Sequence, residues 1–142
     1  NEILLEKFAK ENVDLNKIEI LSRTKTAQQH IESFNNIDLS LDTFPYPGVT
    51  TSFQSILMGV PVLTMKGFNF NSRCGESINR NLELDDFIAH DEEDYLKKAL
   101  LIKSRNQIDK LYREKLRENA LKSYLFDVEQ FAKDFTNLIR LL

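Results

Sequence analysis

One cysteine, Cys74, is all the chain carries, so no intrachain disulfide can form and a reducing compartment suits it. No histidine or acid is placed to activate Cys74, which is expected to be a small core residue rather than a nucleophile. Positive charge is not in surplus either. Nineteen Lys and Arg against 22 Asp and Glu leave a net charge of −3. A general nucleic-acid binder needs the opposite balance to displace counterions from phosphates, so nucleic acid is not an expected partner. The basic residues between Lys97 and Lys122 are interleaved with acids, the pattern of solvated helix faces. No apolar run is long enough to cross a bilayer and no secretory signal follows Asn1, so no membrane partner and a cytoplasmic location are expected. No His or Cys spacing suits a metal, and neither metal nor cofactor is expected. His90 stands alone before an acidic run and is expected to be exposed. Repeats and low-complexity tracts are absent.

What remains is the material of a folded domain. Its 142 residues are 42% hydrophobic and 29% charged, enough for one core under a soluble surface. The chain starts with Asn rather than Met, so a start inside a longer protein is expected, with residues 1–142 forming a single lobe.

Periodicity supplies the elements. Ile3, Leu4, Phe8 and Leu5 fall on one helical stripe between Glu2 and Asn12. Lys17–Leu21 reads as a short buried strand. Thr26 then opens a helix, with Gln29 three residues on completing a capping box. Ile37–Leu41 is a second strand, followed by the loop Pro45-Tyr46-Pro47-Gly48. Thr51 can cap the next helix and Gly59 end it, since a terminal left-handed residue is cheapest as glycine. Val60–Met65 is a third strand. From Ser72 on the pattern is helical: Ser72–Asn81, then Asp91–Ser104 behind four acids that favour a helix N-terminus, then Gln107–Lys122 and Asp127–Leu142. Strand and helix alternate through the first half, which predicts a three-layer, Rossmann-like parallel α/β sheet with a helical C-terminal part. The last helix carries Phe131, Phe135, Leu138, Ile139 and Leu142 on one side. That side either folds back on its own lobe or stays open for self-association.

The chemistry is concentrated between Leu41 and Thr64. Strand, glycine-containing loop, helix start, helix and strand follow in order, so amides at Val49–Ser52, two hydroxyls and a helix dipole converge on one place. That suits a diphosphate, although Thr-Thr before a helix also serves as a plain cap. In open α/β sheets such loops lie at the carboxyl ends of strands, where ligands bind.

Asp38, Leu41-Asp42-Thr43, Pro45-Tyr46, Gly48, Thr50-Thr51, Met58-Gly59-Val60-Pro61-Val62, Thr64, Ser72-Arg73 and Leu125-Phe126-Asp127 occur in an order that resembles the O-linked N-acetylglucosamine transferase family. The part resembled is its C-terminal catalytic lobe, in the bacterial type linked to tetratricopeptide repeats. The resemblance runs from about Ile18 to the C-terminus. It implies the C-terminal lobe of a two-lobed GT-B type glycosyltransferase that binds a UDP-sugar. His30, twelve residues before Asp42, stands where the family has a histidine and would lie against uracil; otherwise it is a solvated helix residue. Thr50 and Thr51 would hold the diphosphate beside Gly48. Gln54 stands where the family has an acid that receives ribose hydroxyls, so it keeps ribose contact without the charge, or only completes a capping box after Thr51. Val49 replaces a histidine of eukaryotic members, and Ala27 a common lysine. Arg73 reaches phosphate or acceptor, or else pairs with a nearby acid on the surface.

By the same resemblance the acid/base residues, the acceptor groove and a lysine that neutralises the leaving diphosphate belong to another lobe. The whole protein would then transfer a sugar, N-acetylglucosamine in the family, to Ser or Thr of a polypeptide acceptor, and this chain alone would be inactive. Two alternatives stay open: a non-catalytic nucleotide-binding or scaffolding module, and a related transferase using another sugar or an asparagine acceptor.

Overall fold

Three short strands pair in the order β1-β2-β3: β1 (Ser40–Leu41), β2 (Val62–Met65) and β3 (Ile88–Ala89). The computed structural model describes residues 2–105 and 108–141. Both strand pairs are parallel, with Ser40 opposite Val62 and Thr64 opposite Ile88, as expected of a Rossmann-like sheet with helical crossovers. The helices are α1 (Glu2–Lys10), α2 (Ala27–Ser33), α3 (Thr50–Leu57), α4 (Cys74–Asn81), α5 (Glu92–Arg105), α6 (Lys110–Lys122) and α7 (Val128–Arg140). The chain divides into two compact units, Asn1–His30 and Ile31–Leu142, with the boundary falling within α2.

In the first unit, Leu5 and Phe8 are half-buried on α1. The helix closes through Asn12, whose φ of 57° is one that asparagine tolerates. Asp14 then accepts from the Asn16 amide at 3.1 Å and starts a 3-10 turn, Leu15–Lys17. The strand expected over Lys17–Leu21 does not form. Ile18 is extended, but an extended segment becomes a strand only when a neighbour takes its ladder bonds, and among the described residues none does. The capping of α2 is as expected on one side. Thr26 Oγ1 accepts from Gln29 N at 3.2 Å, while Gln29 Oε1 accepts from Lys25 N at 3.1 Å, one residue before the cap.

The second unit holds the sheet. The strand expected over Ile37–Leu41 is reduced to its last two residues, and β2 starts two residues later than expected. Pro61 explains both. It has no N–H, so the ladder opens with its carbonyl, which accepts from Ser40 N at 3.0 Å. Strand β3 has no counterpart among the expected elements, because two residues show no periodicity. Helices α3, α4 and α5 contact β2. The core is Ile56, Val62, Ile78, Leu82, Leu116 and Ala120, with Phe53, Leu84, Tyr112, Leu125 and Phe126 packed against it.

Helix α3 ends as expected at Gly59, φ 73°. Gly59 N donates to Ile56 O at 2.8 Å and Val60 N to Ser55 O at 2.9 Å, the paired bonds of a Schellman motif. Helix α6 then closes the carbonyl end of α3: Arg113 donates to Phe34 O at 2.8 Å, Ile37 O at 3.1 Å and Met58 O at 3.3 Å, and Arg117 to Leu57 O at 2.7 Å. Expected and observed helix starts differ where a cap decides. Asp109 accepts from Tyr112 N at 2.8 Å and starts α6 at Lys110, while Gln107, the expected start, lies outside the described residues. Asp127 caps α7 through Gln130 N at 2.9 Å. No residue of α7 is buried, and Phe131 and Phe135 stack at 5.9 Å while 66% and 53% exposed. Leu142, expected on the same side, lies outside the described residues. Among the described residues no helix is long and apolar enough to cross a membrane.

Candidate functional site

The loop between β1 and α3 is held from beneath by Asp42, the residue after β1. The residue is 8% exposed. Oδ1 accepts from Gly48 N at 2.7 Å and Oδ2 from Thr64 Oγ1 at 3.0 Å. Its backbone carbonyl accepts from the Tyr95 hydroxyl of α5 at 2.9 Å. Burial pushes the Asp42 carboxyl above its ordinary value, against the bonds from Gly48, Thr64 and Thr43. Burial, and then the Asp42 charge, push Tyr95 up to about 12. Within the loop Thr43 Oγ1 donates to Tyr46 O at 2.8 Å, and Ser52 Oγ donates to Gly48 O at 3.0 Å. Gly48 thus has both backbone groups engaged. What it offers a ligand is closeness of backbone, and a Cβ there would stand 3.0 Å from Ser52 Oγ.

Beyond Gly48 the helix entry is open. Val49 takes the capping position of α3 with no side-chain hydrogen bond, and the backbone ladder begins with Phe53 N on Val49 O at 3.0 Å. The amides of Val49, Thr50, Thr51 and Ser52 therefore precede the ladder, and none has a protein acceptor among the described residues. The cap expected of Thr51 is not formed; α3 starts at Thr50, and both threonines are exposed. Gln54 consequently closes no capping box. It is half-buried in the second turn, and its carbonyl accepts from Met58 N at 3.1 Å. Four free amides and two hydroxyls at the positive end of a helix form a receptor for an anion with several oxygens.

A groove of about 700 Å³ adjoins this entry. Val49 and Phe53 line one part of it, and Phe68, Phe70, Arg73 and Arg80 another. Both Phe68 and Phe70 are over four-fifths exposed, at 85% and 86%. Arg73 is held by Glu76: its Nε donates to Oε2 at 2.8 Å, and Arg80 Nε meets Oε1 at 3.2 Å. The surface pairing with an acid is thus present, and it occupies Nε alone among the nitrogens of Arg73, leaving the two terminal nitrogens without a partner among the described residues. Glu76 is 3% exposed, and the Arg73 bond, ahead of Arg80 and Lys66, holds its carboxyl below the ordinary value despite burial. Ser72 does not cap α4. It closes the turn from Asn69, accepting from Asn69 N at 3.0 Å and donating to Asn69 O at 3.1 Å.

Of the expected site residues, Gly48, Thr50, Thr51 and Gln54 fall within one loop and the first two turns of α3, and Arg73 lines the same groove as Val49. His30 belongs to the first unit, on α2, half-buried, with its amide on Thr26 O at 3.1 Å. In sequence, Asp42 is one of the residues that carry the family resemblance, but its part beneath the loop does not show, and Glu76 shows only through the helical spacing of Arg73, Glu76 and Arg80.

A parallel α/β sheet with an open, threonine-lined helix start after its first strand has the architecture of a Rossmann-like lobe with an exposed helix N-terminus at the carboxyl end of a strand. Comparison with known proteins narrows this. Residues 1–135 match glycosyl transferase family 41, and the chain belongs to that family. It is 32% identical over 124 residues to a probable UDP-N-acetylglucosamine–peptide N-acetylglucosaminyltransferase SPINDLY of Solanum lycopersicum, covering 87% of this chain and 13% of that protein. A relative of the same name from Eustoma exaltatum subsp. russellianum is 34% identical over 118 residues, 83% of this chain and 13% of its own length. Among solved structures, a mutant O-GlcNAc transferase of Thermobaculum terrenum superposes with a TM-score of 0.71 at 30% identity, covering 85% of this chain and 22% of the other. The chain thus spans about an eighth of those curated relatives, and the family reading of the sequence is confirmed.

Proposed function

We propose that the chain binds the nucleotide of a UDP-sugar for a longer protein that glycosylates polypeptides. The observation carrying this is the uncapped start of α3, with exposed Thr50 and Thr51, in a chain of family 41. The amides of Val49–Ser52 and the two hydroxyls take the diphosphate. Gly48 allows the approach, His30 takes the uracil, Gln54 the ribose, and Arg73 a phosphate oxygen or the acceptor. The relatives' names supply N-acetylglucosamine as the sugar and a peptide as the acceptor. Acid/base chemistry belongs to the rest of the longer protein, read as a cytoplasmic, tetratricopeptide-linked transferase. Family membership and the open phosphate entry support this above a scaffolding role. The exposed side of α7 is assigned to a contact with that remainder, and on the isolated chain to self-association.

Calorimetric titration of UDP, GDP and inorganic pyrophosphate tests the reading. UDP is expected to bind weakly but more tightly than pyrophosphate, because base and ribose add contacts. Thr50→Val should lose about 1 kcal/mol, the typical net worth of one hydrogen bond. Unchanged affinity takes Thr50 out of the site, and preference for GDP overturns the uracil assignment while keeping the phosphate entry. The donor is taken without metal, so EDTA should leave the UDP affinity as it is in magnesium. Sugar transfer by the chain alone would contradict the placing of the acid/base residues elsewhere.

Gln54→Asp addresses the ribose. An ionised acceptor makes stronger hydrogen bonds than an amide, and an acid near a helix N-terminus is compatible with the dipole. UDP affinity should therefore rise with folding intact. Unchanged affinity at unchanged melting temperature removes Gln54 from the ribose site.

A further inference from the structure

Asp42 is engaged at every polar atom it has. Oδ1 accepts from Gly48 N at 2.7 Å, Oδ2 from Thr64 Oγ1 at 3.0 Å, its amide donates to Leu63 O at 2.9 Å, and its carbonyl accepts from Tyr95 OH at 2.9 Å. The loop, β2 and α5 therefore meet on one residue that is 8% exposed. Burying a carboxylate is costly unless each oxygen finds a donor, and one of these donors is the last loop amide before the open ones. Gly75 of α4 keeps the necessary room. A Cβ there would stand 2.2 Å from Thr64 Oγ1 and 2.8 Å from Asp42 Oδ2. The next peptides along the chain carry the amides of Val49–Ser52, which no protein acceptor takes among the described residues.

We infer that Asp42 is a positioning residue for the donor diphosphate: by fixing the Gly48 peptide from below, it presets the Val49–Ser52 amides to receive phosphate oxygens. The inference rests on the donor reading given above. Asp42 touches no ligand in this scheme. It acts through one backbone hydrogen bond, so that the loop is ordered before the nucleotide arrives and binding costs less ordering entropy.

Amide hydrogen exchange read by NMR, melting temperature and UDP titration on the 142-residue chain test this together. The wild-type Gly48 amide should be protected. Asp42→Ala should release it and weaken UDP by about tenfold, the scale of one charge-assisted hydrogen bond. Asp42→Asn, whose amide oxygen still accepts from Gly48, should restore most of both. Thr64→Val is the control for a merely structural part. It removes the other hydrogen bond, should lower the melting temperature, and should leave UDP affinity within about twofold and Gly48 protected. Should Asp42→Ala not fold, Gly75→Ala displaces the carboxylate instead and is expected to expose Gly48 and weaken UDP likewise. Released Gly48 with unchanged UDP affinity overturns the positioning role, as does a Gly48 amide that stays protected without Asp42. In either case a weakened Thr50→Val would leave the donor reading standing. A wild-type chain that takes no UDP removes the donor reading and this inference with it.

Discussion

Gly59→Ala is expected to destabilise the chain by about 3 kcal/mol or more, at the upper end of single substitutions. Two costs combine. The residue sits at φ 73°, where a side chain costs roughly 1–2 kcal/mol. Its added Cβ would also stand 2.5 Å from the Arg113 backbone oxygen and 2.8 Å from the Arg113 carbonyl carbon. Backbone cannot swing aside as a flexible side chain does, so α6 must back away from α3. That movement strains the bonds by which Arg113 and Arg117 satisfy the carbonyls of Phe34, Ile37, Leu57 and Met58, and it loosens Leu116 and Ala120 in the core. Urea denaturation of the two proteins measures it. A loss below about 1 kcal/mol would mean that α6 does not close the end of α3 in this way.

The second large effect concerns association. The full chain should self-associate at micromolar concentration, and a chain ending at Asp127 should be monomeric with nearly the same stability. Phe131, Phe135, Leu138, Ile139 and Leu141 are all more than half exposed, from 53% to 83%, and burying each is worth roughly 1.5–3 kcal/mol. The cut falls after Leu125 and Phe126 because both pack on the core, Phe126 with its ring edge-on to Phe53 at 5.6 Å. Light scattering and thermal melts on the two lengths decide the matter. A monomeric full chain that loses its fold when α7 is removed would show instead that the helix packs on its own lobe.

The parts of this fold legible in sequence are those where one residue decides the local backbone. Gly59 ended its helix, Thr26 capped one, and the acids at Asp91–Asp94 opened another. Lys17–Leu21 misled because apolar residues in an extended run describe a strand's side chains, not its partner. The length of β1 was set by Pro61, twenty residues away in sequence, and no local pattern contains that. In the site, Thr50, Thr51 and Gly48 were legible as residue types at a helix entry. That the entry is uncapped was not legible, since Thr-Thr suits a cap equally well. Nor was the inward turn of the Gly48 amide, which depends on a buried carboxylate, Asp42, lying beneath the loop to accept from it.

The central claim is that the entry to α3 receives a nucleotide's diphosphate. The most direct measurement follows backbone amide resonances of the isotope-labelled chain as UDP is added. The largest shifts are expected on Val49, Thr50, Thr51 and Ser52, the amides without a protein acceptor among the described residues, while the Gly48 amide stays on Asp42 and moves less. Shifts concentrated elsewhere on the chain, with Val49–Ser52 unmoved at saturating UDP, would contradict the claim.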